Sequence, residues 1–135
     1  MKRIVVGFDG SDNARKALER AAEIANGATV AVVSATGPAR LLRDPGVSPE
    51  DPADVEARTE ALAEARKYLE EKGITGEYVT GHGNPADVIV QEAEESGADL
   101  IIVGTRGHSA AKRVLLGSVS TNVVHHATVD VLVVR

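Results

Sequence analysis

The stretch Ile4-Val5-Val6-Gly7-Phe8-Asp9-Gly10-Ser11, near the start of the chain, predicts the fold by the order of its residue types. Its continuous apolar run, without a polar alternation, is typical of a strand that is buried on both faces. Ser11 can then accept a hydrogen bond from the first N–H groups of a helix. The apolar residues that follow recur at helical spacing and form one stripe: Ala14, Ala17, Leu18, Ala21 and Ala25. The stretch therefore predicts a strand, a turn and a helix, which is the first unit of an α/β fold.

The same alternation of strand and helix continues to the end of the chain. Asn84-Pro85 is a typical helix start, whereas Ser48-Pro49 and Asp51-Pro52 are alternative starts for the helix before it. Five strands and four helices in alternation predict a mostly parallel, open sheet with right-handed crossovers and helices on both faces. The later strands are expected at 30–33, 78–80, 100–103 and 129–134, and the later helices end near 72, 96 and 127.

The polarity of the strands indicates their order in the sheet. The first and fourth strands are the most uniformly apolar, so they should be central, whereas Glu77 and Thr80 place the third strand at an edge. An order of 3-2-1-4-5 fits these observations, and 2-1-3-4-5 remains an alternative. With the first order, ligands are expected at the switch point between strands 1 and 4. The residues there are Asp9-Gly10-Ser11 and Gly104-Thr105-Arg106-Gly107.

Length and composition exclude several classes of protein. The 135 residues are expected to form one domain over 1–135, and 43% hydrophobic with 26% charged residues argues against disorder. A formal net charge of −5 and a near absence of aromatic residues disfavour binding to nucleic acid. The absence of cysteine excludes disulfides and thiol chemistry. No apolar run is long enough for a membrane helix, and no signal peptide is recognisable, so we expect a cytoplasmic protein without a membrane partner.

The most specific pattern begins where the fourth strand ends. Gly104-Thr105-Arg106-Gly107 is separated by nine residues from Gly117-Ser118-Val119-Ser120. The glycines let backbone N–H groups approach a ligand, and the helix that opens at the second segment presents free N–H groups and the positive end of its dipole. The serine hydroxyls, together with the positive charges of Arg106, Lys112 and Arg113, favour the same anion. The pattern predicts a phosphate site, although each glycine could also be only a turn and each serine only a cap.

These motifs resemble those of the universal stress protein family, and the resemblance runs through the whole chain. It includes residues 4–11, the turn Gly81-His82-Gly83-Asn84-Pro85, the segment 98–104 and the final Val-Leu-Val-Val. The G-x2-G-x9-G-[ST] signature of the ATP-binding branch is complete at 104–118. The resemblance implies an adenine-nucleotide-hydrolase-like fold with the strand order 3-2-1-4-5. It also implies a homodimer that forms through the last strand.

The resemblance further implies a site for ATP with Mg²⁺, at which hydrolysis is slow or not measurable. The adenosine end is expected near Gly7, Phe8, Asp9 and Ala35. The ribose and phosphates are expected along the remaining site residues, which are Val103, Gly104, Arg106, Gly107, Gly117, Ser118, Val119 and Ser120. The sequence has neither a G-x4-G-K-[ST] phosphate loop nor a G-x-S-x-G elbow, so we assign no catalytic residue and no protein-bound metal site.

Three functions are open at this point. The first is a nucleotide-binding regulatory homodimer of the stress response, the second is a slow Mg²⁺-dependent ATPase, and the third is a nucleotide-free interaction scaffold. The complete glycine signature favours binding over the empty scaffold, and the lack of an evident general base favours binding over turnover.

Individual polar residues near the predicted site have competing interpretations. Asp9 could hold a ribose hydroxyl or a metal-bound water, or it could cap its own turn. His108 could contact a terminal phosphate or be simply exposed. His125-His126 is expected to interact with the dipole at the end of the last helix and to bind no metal. Asp130 stands where the family often has proline, and it could bring two carboxylates together across an antiparallel dimer edge.

Two longer segments complete the predictions. The segment from Thr36 to Asp51 is long for a compact domain, and we expect it to be a flap beside the adenine. The charged stretch from Glu56 to Lys72 is expected to be a solvated helix face without a site.

Overall fold

The computed structural model describes residues 1–36, 51–105 and 117–135. In these ranges strands and helices alternate in the order β1 (Arg3–Gly7), α1 (Asp12–Ile24), β2 (Thr29–Thr36), α2 (Pro52–Glu71), β3 (Gly76–His82), α3 (Pro85–Ser96), β4 (Leu100–Gly104), α4 (Ser118–His126) and β5 (Asp130–Val134). All neighbouring strands are parallel, and the sheet order is β3-β2-β1-β4-β5. The predicted order is confirmed, and the alternative 2-1-3-4-5 is wrong. No helix within these ranges is long and apolar enough to cross a membrane.

The hydrophobic core lies on both faces of the sheet. On one face, Ile4 and Val6 of β1 pack against the alanine-rich stripe of α1 and against α2. On the other face, Val5 and Ile101 pack against α3 and α4. The side chains at the centre of β1 and β4 have no exposed area, as their apolar runs predict. Alanines on the helices allow a close approach to the branched side chains of the strands, so the helices pack tightly on the sheet, with Phe8 as the one fully buried aromatic residue among the described residues.

Side-chain caps start three of the four described helices. Ser11, Asp51 and Asn84 each accept a hydrogen bond from an N–H group in the first turn that follows, at 3.2, 2.9 and 3.0 Å. The cap of α2 is therefore Asp51, and the alternative start at Ser48 is wrong. The helix α4 differs, because its N-cap is Gly117, which has no side chain to satisfy the N–H groups that follow.

The strand β2 is longer than predicted and runs to Thr36. Its pairing with β3 continues to the pair Thr36↔His82, so the ladder of hydrogen bonds extends both strands beyond their apolar residues. Thr36 therefore belongs to the sheet and not to the long segment that follows. The rest of the predicted flap, at residues 37–50, lies outside the described residues.

One residue of the charged stretch in α2 contradicts the sequence prediction. Arg58 is only 4% exposed, although the stretch from Glu56 to Lys72 was expected to be solvated. The buried stripe of α2 includes Leu62 and Leu69 and extends one turn toward the start of the helix, where it reaches Arg58. Most of the other charged side chains of the stretch are exposed, as predicted.

The start of β1 is held by carboxylates at the end of the sheet where the parallel strands begin. The carboxylate of Asp99 accepts hydrogen bonds from the N–H groups of Lys2 and Arg3, at 2.8 and 3.1 Å. The guanidinium of Arg3 donates two hydrogen bonds to Glu77, at 2.7 and 2.9 Å. These backbone hydrogen bonds lower the pKa of Asp99 from its ordinary value, because they favour the ionised carboxylate.

The substitution Asp99→Asn tests this anchor, because it removes the charge and keeps an oxygen that can accept both N–H groups. A lowered pKa in the folded state means that the ionised carboxylate stabilises the protein at neutral pH, and that this contribution disappears below about pH 4. We expect the variant to unfold at less urea than the parent at neutral pH, with a difference that shrinks at acidic pH. The exposed Glu71→Gln is the control, and a pH-independent difference for Asp99→Asn would contradict the assignment.

Candidate functional site

A crevice is expected at the carboxyl ends of β1 and β4, where the two strands stop pairing with each other. The register of β1 with β4 ends at the pair Val6↔Ile102, whereas β4 continues beside β5 to the pair Gly104↔Val134. The chain leaves β1 into α1, and α1 covers the face opposite to α3 and α4. The predicted switch point is therefore confirmed. In open parallel sheets, this is the place where ligands bind.

The residues at the end of β1 present mainly backbone to this crevice. Phe8 is 3% exposed and packs with α1 and α2. Asp9 is exposed, and its carboxylate oxygen Oδ1 accepts a hydrogen bond from the N–H group of Ser11 at 2.9 Å. The structure thus shows the interpretation in which Asp9 caps its own turn. A contact of Asp9 with a ribose stays a prediction.

Ala35 directs its backbone polar groups toward the same crevice. Phe8 donates its N–H to the carbonyl of Val33, so the backbone of Val33 faces β1. Directions alternate along a strand, so the N–H and carbonyl of Ala35 also face the side of β1. The register of β1 with β2 ends at the pair Gly7↔Val33, two residues before Ala35. One donor and one acceptor of β2 are therefore aimed past the end of β1.

A cluster of hydrogen bonds on the carbonyl of Thr105 joins the two halves of the glycine motif. The N–H of Gly117 and the hydroxyl of Ser120 both donate to this carbonyl, the hydroxyl at 2.9 Å. The single hydroxyl proton of Ser120 is shared with the carbonyl of Gly117, at 3.1 Å, and Ser120 is 2% exposed. The hydroxyl of Ser120 therefore fixes α4 against the end of β4, whereas Ser118 in the same turn is exposed.

The N-terminus of α4 has the features of an anion site. Among the residues that the structure describes, no side chain caps this helix, in contrast to the caps of α1, α2 and α3. The first-turn N–H groups belong to Ser118, Val119 and Ser120, which are three of the predicted site residues. Unsatisfied N–H groups and the positive end of the helix dipole attract a negatively charged group.

Gly104 has a packing role that the sequence analysis did not identify. A Cβ atom at this position would lie 2.7 Å from the backbone carbonyl carbon and oxygen of Asn13 in α1. The glycine therefore allows α1 to approach the end of β4, in addition to any access that it provides for a ligand. A Cβ atom at Gly7 would meet side chains and no backbone: Ile89 at 2.6 Å and Val103 at 3.3 Å.

The structure brings most of the predicted site residues to one end of the sheet. The ends of β1, β2 and β4 and the start of α4 contribute Gly7, Phe8, Asp9, Ala35, Val103, Gly104, Gly117, Ser118, Val119 and Ser120. The predicted site residues Arg106 and Gly107 lie outside the described residues, as do His108, Lys112 and Arg113.

Sequence reasoning missed one polar pair at this end of the sheet. The guanidinium Nη1 of Arg58 donates to the hydroxyl oxygen Oγ1 of Thr36 at 2.7 Å, next to Ala35. The stripe of buried positions at 62, 65 and 69 could have indicated Arg58 by extension toward the start of α2. No signal in the sequence indicated that Thr36 is its partner.

Strand order, helix placement and the crevice define a class of protein, the α/β domains with an adenine-nucleotide-hydrolase-like fold. The sequence profile described as "Universal stress protein family" matches residues 1–135. The chain belongs to the universal stress protein family.

Similar proteins include a curated relative and two solved structures. The chain is 36% identical to universal stress protein YxiE of Bacillus subtilis, with 98% of each chain covered. It is 34% identical to a universal stress protein solved in complex with cAMP, with 99% of this chain and 97% of that chain covered at a TM-score of 0.75. It is 28% identical to the universal stress protein from Archaeoglobus fulgidus in complex with dAMP, with 100% and 98% covered at a TM-score of 0.79.

The packing role of Gly104 predicts that Gly104→Ala is more destabilising than Gly7→Ala. The new methyl group at position 104 meets backbone, which can only move with the whole helix, whereas at position 7 it meets the end of a flexible side chain. We expect Gly104→Ala to lower the free energy of unfolding by about 1–3 kcal/mol and Gly7→Ala to lower it by less. Urea denaturation of both variants measures the difference, and equal losses would refute the packing role.

Proposed function

We propose that this protein is an ATP-binding regulatory protein that acts as a homodimer in the stress response. The observation that carries the proposal is the joining of both halves of the glycine motif at the carbonyl of Thr105, beside the uncapped N-terminus of α4. This arrangement offers phosphate groups a set of backbone N–H donors in a fixed position. Two similar proteins of the same family were solved with adenine nucleotides, which supports this class of ligand.

In the proposed complex, the adenine lies at the end of β2. The N–H of Ala35 donates to a ring nitrogen of the base, and its carbonyl accepts from the exocyclic amine. These are the two backbone groups that the register aims past the end of β1. A donor and an acceptor in this order select adenine, because hypoxanthine presents a carbonyl and an N–H at the corresponding positions.

The phosphates of the nucleotide lie at the start of α4 in this proposal. The N–H groups of Ser118 and Val119 and the exposed hydroxyl of Ser118 donate to phosphate oxygens. Arg106 and Gly107, from the same motif, are expected to complete the site. Mg²⁺, held by the phosphates, would neutralise part of their charge.

We propose binding as the principal activity, with hydrolysis slow at most. A carboxylate that serves as a general base must be directed at the attacking water. One oxygen of the Asp9 carboxylate, which is the acidic group at the end of β1, accepts the N–H of Ser11 in its own turn. This hydrogen bond holds the carboxylate in its own turn, so we expect Asp9 to be poorly directed at an attacking water.

A second candidate ligand is cAMP. The relative solved with cAMP is 34% identical to this chain, more than the relative solved with dAMP. A cyclic nucleotide would use the same adenine contacts at β2, and its single phosphate would take the N–H groups of α4 without Mg²⁺. The two candidates therefore differ in their dependence on the metal.

The proposal is tested by calorimetric titration of the parent with four ligands: ATP with Mg²⁺, ATP alone, cAMP and AMP. The same titrations on Gly117→Val place the site, because a branched side chain at the N-cap obstructs the approach of phosphate to the backbone of α4. We expect the parent to bind ATP with Mg²⁺ and the variant to bind at least about tenfold more weakly. Thermal unfolding of both proteins checks that the variant is folded. A parent that fails to bind millimolar ATP would refute the proposal, and a preference for cAMP would replace ATP by the second candidate.

We also propose that the homodimer forms through the free edge of β5. Thr105 donates its N–H to the carbonyl of Val134, so the backbone of Val134 faces β4. By alternation, the N–H and carbonyl groups of Val131 and Val133 face the free edge. Among the described strands, none pairs with this edge of β5, and the side chains of the two valines beside it are apolar and partly buried.

The dimer predicts that, of two substitutions at the same position, one breaks the interface and the other preserves it. Val133→Pro removes an N–H group on the free edge, whereas Val133→Thr keeps that N–H group and nearly the same shape. We expect sedimentation velocity to show a monomer for the proline variant and a dimer for the parent and the threonine variant. Far-ultraviolet circular dichroism serves as the control for folding. A dimeric proline variant would rule out this edge as the interface.

A further inference from the structure

A charged side chain buried at the predicted adenine end of the sheet is unused in the function described so far. Arg58 is 4% exposed and lies in the stripe of α2 that otherwise holds alanine and leucine. The burial of a guanidinium costs more free energy than that of an apolar side chain of similar size, unless its hydrogen bonds compensate. A residue that departs from its local pattern in this way often marks a functional position.

One hydrogen bond of Arg58 is with the residue that follows Ala35. Nη1 donates to Oγ1 of Thr36 at 2.7 Å, which joins the first turns of α2 to the last residue of β2. On the main chain, the carbonyl of Thr36 accepts the N–H of Gly83 at 3.1 Å. Thr36 is therefore held through its side chain by α2 and through its backbone by the turn after β3.

These two contacts restrain the backbone at the end of β2. The pairing of β2 with β1 ends at Val33, so beyond that residue β2 is paired only with β3. A strand end supported on one side can twist, and a small rotation would turn the N–H and carbonyl of Ala35 away from the crevice. The hydrogen bond from Arg58 opposes this rotation because it fixes the adjacent residue to a helix in the core.

We propose that Arg58 is a positioning residue for base recognition, which acts through the hydroxyl of Thr36 on the backbone of Ala35. This inference rests on the proposed binding of an adenine nucleotide. It assigns to the buried guanidinium a role in the choice of base and no role in the binding of phosphate. The pair should therefore affect the preference for adenine over other bases that carry the same sugar and phosphates.

The test compares the affinities of ATP and inosine triphosphate for the parent, Thr36→Val and Thr36→Ser. Valine has nearly the shape of threonine without the hydroxyl, and serine keeps the hydroxyl. We expect Thr36→Val to lower the affinity for ATP by about tenfold, as for the loss of one well-placed hydrogen bond. The affinity for inosine triphosphate should stay unchanged. Thr36→Ser should keep the preference of the parent. A purely structural pair would lower the melting temperature and leave the ratio of the two affinities unchanged.

A second pair of variants tests the same role in case Thr36→Val folds poorly. Arg58→Met removes the buried charge together with its hydrogen bonds. It should lower the ratio of the affinity for ATP to the affinity for inosine triphosphate. The double variant Thr36→Val/Arg58→Met should show no further change in the ratio of the two affinities, because both changes break the hydrogen bond between Arg58 and Thr36. If the parent binds ATP and the variants keep the parent's ratio of affinities, the positioning role of Arg58 is wrong, whereas the proposed function still stands. A parent that binds neither nucleotide would overturn this role and the proposed function together.

Discussion

The pairing of β1 with β4 at the centre of the sheet is the constraint on which the rest of the molecule depends. Strands that begin far apart in the sequence lie side by side there, and their central side chains are fully buried on both faces. The chain moves outward from this pair in both directions, to β2 and β3 on one side and to β5 on the other. The helices after β1 and β4 consequently lie on opposite faces, and a crevice is left between their starting points.

The geometry of this crevice is maintained mainly by backbone contacts. Gly104 allows α1 to touch the end of β4, and the carbonyl of Thr105 binds the start of α4. Ser120 adds a buried hydroxyl to the same carbonyl. Since these contacts use main-chain atoms and small side chains, the first-turn N–H groups of α4 lie beside the end of β4 without a side-chain cap. Rigid placement of donors is what an anion site needs, because little rearrangement is then required on binding.

The accuracy of the sequence predictions follows the range of the interactions involved. The helix caps at Ser11 and Asn84 were predicted correctly, because each depends on residues within one turn. The central position of β1 and β4 was also correct, because burial on both faces leaves a continuous apolar run. The extension of β2 to Thr36 was missed, because it depends on pairing with β3. Arg58 was misassigned because its charge was given more weight than its place on the buried stripe of α2, and its partner Thr36 lies in another element.

The sequence alone determined the type of each element, the central position of β1 and β4 and the position of the glycine signature, whereas the structure decided between the two strand orders. These properties follow from hydrophobic periodicity, helix caps and strand polarity, and each of these patterns depends on residues that are close in the sequence. Only the tertiary structure decided that Gly104 makes room for α1, that the hydroxyl of Ser120 fixes α4 rather than facing solvent, and that Arg58 meets Thr36. Each of these contacts joins residues from different elements. Their partners are set by the packing of helices on the sheet, and that packing is a property of the whole fold.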